Sequence, residues 1–247
     1  MKAHRKIGLT VGILFIVGTL SGIMSFFLTG AINGSNEYLV NIASNSNQFM
    51  VGSLFVLLMG FSVAFIPIVL YPVLSKYDKA LAIGYVVFRG AIETVTYIAI
   101  WISMLLVVFT SKTYTFSKDV NSQEVQNSVS ILVKCWELSS LSTIFVFGIG
   151  ALLFYIALYR SKLIPTWLSL WGTVAILLHI ITGFLIMFDI AADGSALNSY
   201  LNFPIFLQEM VMAVWLMVKG FDEDFFNKLK QTPKVLDKDT ILDPAVS

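Results

Sequence analysis

Charged residues are scarce in this sequence. Only 13% of its 247 residues are aspartate, glutamate, lysine or arginine, against roughly 25% in an average soluble domain. Hydrophobic residues make up 57% of the chain, and its mean hydropathy is +0.83. A soluble fold of this size would have to expose much of that apolar surface to water. The composition therefore excludes an ordinary water-soluble protein and predicts an integral membrane protein.

Cysteine and histidine are also scarce, and this excludes several chemistries. The single Cys135 cannot form an intrachain disulfide or a cysteine-rich metal site. Of the two histidines only His179 lies in an apolar run, because His4 is at the terminus, so a bis-histidine haem between spans is excluded. No H-E-x-x-H or G-x-S-x-G pattern occurs, and no aspartate lies deep in an apolar run. We expect no cofactor and no resident metal.

Six apolar runs are long enough to cross a bilayer, which requires about 20 residues of helix. They cover residues 7–28, 49–71, 81–109, 138–158, 166–188 and 201–218. The sequence thus predicts an all-α integral membrane protein, a six-transmembrane-helix bundle over residues 1–221. Residues 222–247 change to a lysine-containing, acidic composition and are predicted to form a cytoplasmic tail, partly disordered.

The distribution of lysine and arginine predicts the orientation. Positive charges in short loops resist translocation and mark the cytoplasmic side. They concentrate before the first span and in alternate connections, as Lys2, Arg5, Lys6, Lys76, Lys79, Arg160, Lys162 and Lys219. Both termini are therefore predicted to be cytoplasmic, as an even number of spans requires.

The first apolar run also has features of a signal peptide, because basic residues precede it. Its length exceeds the 7 to 15 residues usual for such a segment, and no clear small-x-small cleavage site follows it before Gly30 and Ala31. We expect an uncleaved first helix that remains part of the bundle.

Ionisable residues in the middle of the spans are the informative positions, since each is costly in hydrocarbon unless it is paired, neutralised or hydrated. Arg89, Glu93, His179 and Glu209 each fall at about 13 to 20 Å from the cytoplasmic end of their span at 1.5 Å per residue. Arg89 and Glu93 are four residues apart on one helical face, with Tyr97 a turn further on. Glu209 has no opposite charge in its own span. The sequence predicts an interior cluster of Arg89, Glu93 and Glu209, with His179 near or facing it.

Two interpretations of this cluster stay open. In the first, it forms a binding site for a small molecule or a proton. In the second, it is a clasp, meaning a set of buried ion pairs that only fixes how the helices pack against one another. His179 is by itself more typical of hydrogen-bonded packing than of a proton or ligand role. A metal held by Glu93, Glu209 and His179 has suitable ligand types, but the charge of Arg89 opposes it.

Three segments resemble a known family. They are residues 88–93 (FRGAIE), residues 158–168 (LYRSKLIPTWL) and residues 207–221 (LQEMVMAVWLMVKGF), the last being the most specific. The sequence resembles the bacterial membrane family called domain of unknown function 4386 over nearly the whole transmembrane region. The resemblance implies a multi-pass protein of the bacterial inner membrane, and it carries no activity, substrate or cofactor.

Three functions compete at this stage. The first is a membrane protein that binds or moves a small solute, proton or lipid-like ligand at the cluster. The second is a membrane-embedded enzyme acting on a lipid or quinone, with Glu93 or Glu209 as acid or base and Arg89 holding an anionic group. The third is a structural or regulatory partner that binds no ligand. The expected partners are the lipid bilayer and a small-molecule or lipid ligand, and the scattered basic residues exclude nucleic acid.

Overall fold

The computed structural model describes residues 3–30, 36–116, 122–223 and 225–226, and all regular structure in these ranges is helical. The elements are α1 (Ala3–Thr29), α2 (Asn36–Ser44), α3 (Ser46–Leu74), α4 (Lys79–Tyr85), a π-helical segment (Val86–Ile92), α5 (Glu93–Phe116), α6 (Ser122–Ser161), α7 (Thr166–Met187) and α8 (Ala196–Val218). Six spans in these ranges are long and apolar enough to cross a membrane, α4, the π-helical segment and α5 together forming the third. The predicted all-α bundle of six spans is confirmed.

Local sequence signals set several helix ends. The Asp78 side chain accepts a hydrogen bond from the Leu81 backbone N–H at 3.0 Å and caps α4. Ser195 caps α8 in the same way. Gly30 and Gly220 follow the last residues of α1 and α8 with φ of 68° and 75°, a left-handed conformation that glycine adopts without steric cost.

The six spans form a closed ring in chain order. Each span packs mainly against the one before and the one after it, and α1 also packs along α8. An added Cβ on Gly12 of α1 would lie only 2.6 Å from the Ala213 carbonyl oxygen, so glycine allows α1 to approach α8 closely. Side chains directed inward from all six spans therefore meet at the centre of the ring.

We call the end where α1 begins and α8 ends the terminal face, and the opposite end the loop face. The main apolar core fills the half of the ring next to the terminal face, where Phe15, Leu70, Leu158 and Leu216 are fully or almost fully buried. Large apolar side chains cover the outside, among them Leu20, Phe27, Val174 and Val214. Such an apolar surface is stable only against lipid.

The structure differs from the predicted boundaries at α6 and α2. Helix α6 has 40 residues and begins 16 residues before the predicted span, so its length of about 60 Å exceeds the hydrocarbon thickness. The added residues carry Glu124, Lys134 and Glu137, and a hydropathy pattern does not detect a helix with such a polar surface. Helix α2, also not predicted, packs against α5 at the loop face. The predicted tail lies mostly outside the described residues, since 227–247 are not among them.

Candidate functional site

The site begins with a local departure from α-helical geometry. The third span widens into the π-helical segment, and the Glu93 backbone N–H donates to the Phe88 carbonyl five residues back. π-Helical turns are rare and occur frequently at functional sites. Helix α6 passes this segment closely, because an added Cβ on Gly150 would lie 3.1 Å from the Arg89 backbone nitrogen. The wide turn and this glycine together place Arg89 inside the ring.

Arg89 joins two carboxylates from two spans. Its Nη1 donates to Glu93 Oε1 at 3.1 Å and to Oε2 at 3.2 Å, and its Nη2 donates to Glu209 Oε1 at 3.4 Å. The Arg89 and Glu93 side chains are 5% and 0% exposed, whereas that of Glu209 is 15% exposed. The guanidinium therefore bridges α8 to the third span. The Glu93 contact is shorter and bidentate, and the Glu209 contact is longer and single.

Aromatic side chains surround the guanidinium. Arg89 Cζ lies 4.1 Å from the centre of the Phe147 ring, a cation–π geometry. Tyr85 is buried within hydrogen-bonding reach of Arg89, and its ring stacks on Phe154 at 4.6 Å. Tyr97 is within hydrogen-bonding reach of Glu93. Because these side chains exclude solvent, the charges of Arg89, Glu93 and Glu209 interact strongly with one another.

A buried amide next to Glu209 fixes the position of α8. The Tyr155 hydroxyl donates to Gln208 Oε1 at 2.5 Å, and Gln208 Nε2 donates to the Leu168 carbonyl at 3.1 Å. Gln208 is fully buried, and its two hydrogen bonds connect α8 to both α6 and α7. This arrangement limits rotation of α8 and holds Glu209 towards the centre of the ring.

His179 lies beside the cluster and makes none of its ion pairs. Its ring meets the Phe147 ring edge to face at 5.1 Å, and Phe147 is also the ring that Arg89 contacts. Its Nδ1 is 2.7 Å from Asn202 Oδ1. The structure thus brings Arg89, Glu93, Glu209 and Tyr97 together. It places His179 against the Phe147 ring, with Asn202 as its hydrogen-bonding partner.

The carboxylates of the cluster face a guanidinium. Within the described ranges, no group of three histidine, cysteine, aspartate or glutamate side chains is arranged to hold a metal ion. Glu93 and Glu209 both bond to Arg89, which occupies the position where a cation would have to bind.

Sequence reasoning missed several residues at the site. Phe147, Tyr85 and Gln208 contact or brace the cluster, and Asn202 partners His179. The polar residues were detectable, because an amide inside an apolar span requires a hydrogen-bonding partner. Phe147 was not detectable, since nothing distinguishes it from the other aromatic residues of α6.

The Domain of unknown function (DUF4386) family model matches residues 10–220. This match covers all of the ring from the first turns of α1 to the end of α8. Comparison with curated proteins and with solved structures finds no significant match. The sequence resemblance to this family is confirmed, and the chain belongs to the family Domain of unknown function (DUF4386).

Proposed function

We propose that the protein binds a proton at the Arg89–Glu93–Glu209 cluster and uses it to bind or move a small solute across the membrane. One observation carries this proposal. Two carboxylates share one guanidinium at mid-depth in an apolar ring. With both carboxylates ionised, the cluster has a formal charge of −1.

The charge count argues against a simple clasp. A clasp needs one carboxylate for one guanidinium, and Glu93 already satisfies it with two short contacts. An additional ionised carboxylate in a low-dielectric interior costs several kcal/mol unless it is neutralised. A bound proton removes that cost. Within the described part of the chain, Arg89 is the one cationic side chain that acts on Glu93 and on Glu209.

Glu209 is the better candidate to exchange this proton. Its bond to Arg89 is longer than those of Glu93, and its side chain is the more exposed of the two. Moving the Glu209 carboxylate away from Arg89 breaks one long contact, whereas moving the Glu93 carboxylate away breaks two shorter ones. Glu93 is therefore assigned to hold Arg89, and Glu209 to take up and release the proton.

A free hydrogen-bond donor supports the solute part of the proposal. Glu93, Tyr97 and Trp101 follow one another at four-residue spacing on one face of α5. The Trp101 Nε1–H is buried and has no acceptor among the described residues. Buried donors without an acceptor are uncommon and call for an explanation. An acceptor oxygen on a small polar solute would satisfy it two turns from Glu93.

The proposed setting is the bacterial inner membrane, with both termini cytoplasmic. The basic residues of the connections support this orientation, because Lys76, Arg160, Lys162 and Lys219 lie at helix ends on the terminal face. The loop face has Asp189 and Asp193 between α7 and α8. The loop face is accordingly assigned to the outside.

A pH jump on a solid-supported membrane tests proton binding without knowledge of the solute. Proton movement from water to mid-depth displaces charge across part of the membrane field, so wild-type proteoliposomes should give a transient current. Glu209→Gln should abolish it. Glu137→Gln is the matched control, because Glu137 is an exposed carboxylate of α6 paired with Lys134. Equal currents from wild type and Glu209→Gln would contradict the proposal.

A further inference from the structure

A cavity of about 450 Å³ lies at the terminal face, between the connection from α6 to α7 and the end of α8. Its lining includes the charged and aromatic residues Lys162, Trp215, Lys219, Asp222 and Glu223. Helix α7 begins and α8 ends beside it, so the cavity lies where the hydrocarbon region meets the lipid headgroups. Small-molecule sites occupy roughly 300–1,000 Å³. The cavity therefore has the size of a ligand site and the depth of a phospholipid headgroup.

Buried residues hold the walls of this cavity in place. The Asp222 backbone N–H donates to the Leu163 carbonyl oxygen at 3.0 Å, which joins the chain after α8 to the connection between α6 and α7. Leu163 and Phe221 both belong to the main apolar core. The two segments that form the cavity are therefore fixed relative to each other.

Lys162 has a backbone conformation that is unfavourable for lysine. Its φ is 57°, in the left-handed region where a Cβ is crowded. Glycine would remove this strain, as it does at Gly220, which lines the same cavity with a φ of 75°. Residues with strained backbone are concentrated at functional sites. The strain at Lys162 therefore indicates that its ammonium group has a use in the cavity.

Lys162 and Lys219 bring two ammonium groups to the cavity from different segments. Both residues are exposed, and neither forms an ion pair with another residue in the described ranges. Pro165 and Thr166 at the start of α7 also line the cavity, and no described side chain caps that helix. The N–H groups of an uncapped first turn attract anions and add to the effect of the lysines. This part of the lining is suited to a phosphate.

Asp222 and Glu223 add two carboxylates to the lining, which balance the two lysines in formal charge. A balanced lining attracts a purely anionic headgroup less than two lysines alone would. A headgroup with a phosphate and a primary ammonium has a partner for each charge. Glu223 Oε1 lies 3.4 Å from His4 Nε2, and a carboxylate can accept further hydrogen bonds beside this contact. The charges therefore favour a zwitterionic headgroup.

An apolar surface connects the cavity with the outside of the ring. The Trp215 ring lines the cavity and meets the Trp167 ring edge to face at 6.4 Å. Trp167 is 51% exposed, and Val214 and Val218 are exposed next to Trp215 and Lys219 in α8. Tryptophan is enriched at the level of the lipid headgroups. A lipid with its headgroup in the cavity can therefore extend its acyl chains along this surface.

We propose that the cavity binds a phospholipid whose headgroup has a phosphate and a primary ammonium, as in phosphatidylethanolamine. Lys162 and Lys219 bind the phosphate. Asp222 and Glu223 accept hydrogen bonds from the ammonium. The site is separate from the charge cluster, because Lys219 follows Glu209 by ten residues, about 15 Å along α8. The inference does not depend on the proposed function.

Native mass spectrometry of the full chain in a neutral detergent measures lipid binding. Phosphatidylethanolamine, phosphatidylglycerol and phosphatidylcholine with identical acyl chains are titrated separately. Phosphatidylethanolamine should bind most tightly, because phosphatidylglycerol lacks the ammonium and the methyl groups of phosphatidylcholine replace the N–H donors. Tighter binding of phosphatidylglycerol, or equal binding of all three, would overturn the proposal. Soluble phosphoethanolamine should bind more weakly than the lipid, and equal affinity would overturn the assignment to a lipid.

Two lysine substitutions locate the binding. Lys162→Gly and Lys219→Gln should each weaken phosphatidylethanolamine binding about fivefold through the loss of one cation. Lys76→Gln is the matched control with wild-type affinity expected, because Lys76 is exposed on the terminal face and does not line the cavity. Since glycine suits a φ of 57°, Lys162→Gly should unfold at a temperature no lower than that of wild type. Equal affinities in all three variants would overturn the proposal.

Discussion

Replacing the three charges of the cluster one at a time should destabilise the protein in a definite order. Arg89→Gln should cost most, Glu93→Gln less and Glu209→Gln least. The order follows from what each change leaves behind. Arg89→Gln leaves two buried carboxylates without a cation, whereas either glutamate substitution leaves one guanidinium with one carboxylate and a formally neutral cluster.

The contact geometry sets the magnitudes. Leaving a buried charge without its partner costs about 3–5 kcal/mol, which is the expected loss for Arg89→Gln. Glu93 makes two contacts at 3.1 and 3.2 Å, of which glutamine retains one acceptor. A hydrogen bond to a charged group contributes roughly 1.5–3 kcal/mol, so Glu93→Gln should cost about that much. Glu209 makes one contact at 3.4 Å and is partly exposed, so its loss should stay below about 1 kcal/mol.

Equilibrium unfolding in mixed detergent micelles, followed by circular dichroism, measures these free energies. Double-mutant cycles should give a larger coupling between Arg89 and Glu93 than between Arg89 and Glu209. If Glu209→Gln costs as much as Arg89→Gln, both carboxylates are needed for stability. The cluster would then be a clasp, and the reasoning from surplus charge would be refuted.

Three further substitutions test the packing around the cluster by the same unfolding measurement. Gly172→Ala places a Cβ 2.3 Å from the Tyr155 ring and should cost about 1–3 kcal/mol through overpacking. Phe147→Leu removes the aromatic face under Arg89, and about 0.5–2 kcal/mol should be lost with it. Tyr155→Phe leaves Gln208 Oε1 buried without its hydrogen-bond donor, and this should lower the free energy of unfolding by about 1–3 kcal/mol. A variant as stable as wild type would contradict the corresponding contact.

The spans were predictable because a bilayer imposes one requirement on every helix that crosses it, about 20 apolar residues. A search for 20 apolar residues does not detect helices, or parts of helices, that lie outside the hydrocarbon region. The polar first third of α6 and the short α2 were therefore missed. The π-helical segment was missed for another reason. Its sequence is as apolar as its surroundings, and its wide turn accompanies tertiary packing against Gly150, which single-sequence periodicity does not report.

The contact between Arg89 and Glu209 was predictable from the free-energy cost of leaving a charge unpaired in hydrocarbon. Glu209 has no opposite charge within its span, and Arg89 is the one arginine inside another. The sequence did not reveal which carboxylate binds Arg89 more closely, because that depends on the turn geometry at Glu93. Asn202 was also detectable as a hydrogen-bonding residue, since an amide inside an apolar span requires a partner, but only ionisable residues were taken as informative.

The proposed function requires a protonated carboxyl group in the Arg89–Glu93–Glu209 cluster, and infrared spectroscopy of the purified protein detects such a group directly. A buried carboxylic acid gives a C=O band distinct from that of a carboxylate. We expect this band in the wild type at pH 5, its weakening towards pH 9 as the proton is released, its absence from Glu209→Gln, and its retention in Glu137→Gln. Absence of the band from the wild type throughout this range, or its persistence in Glu209→Gln, would contradict the proposed function.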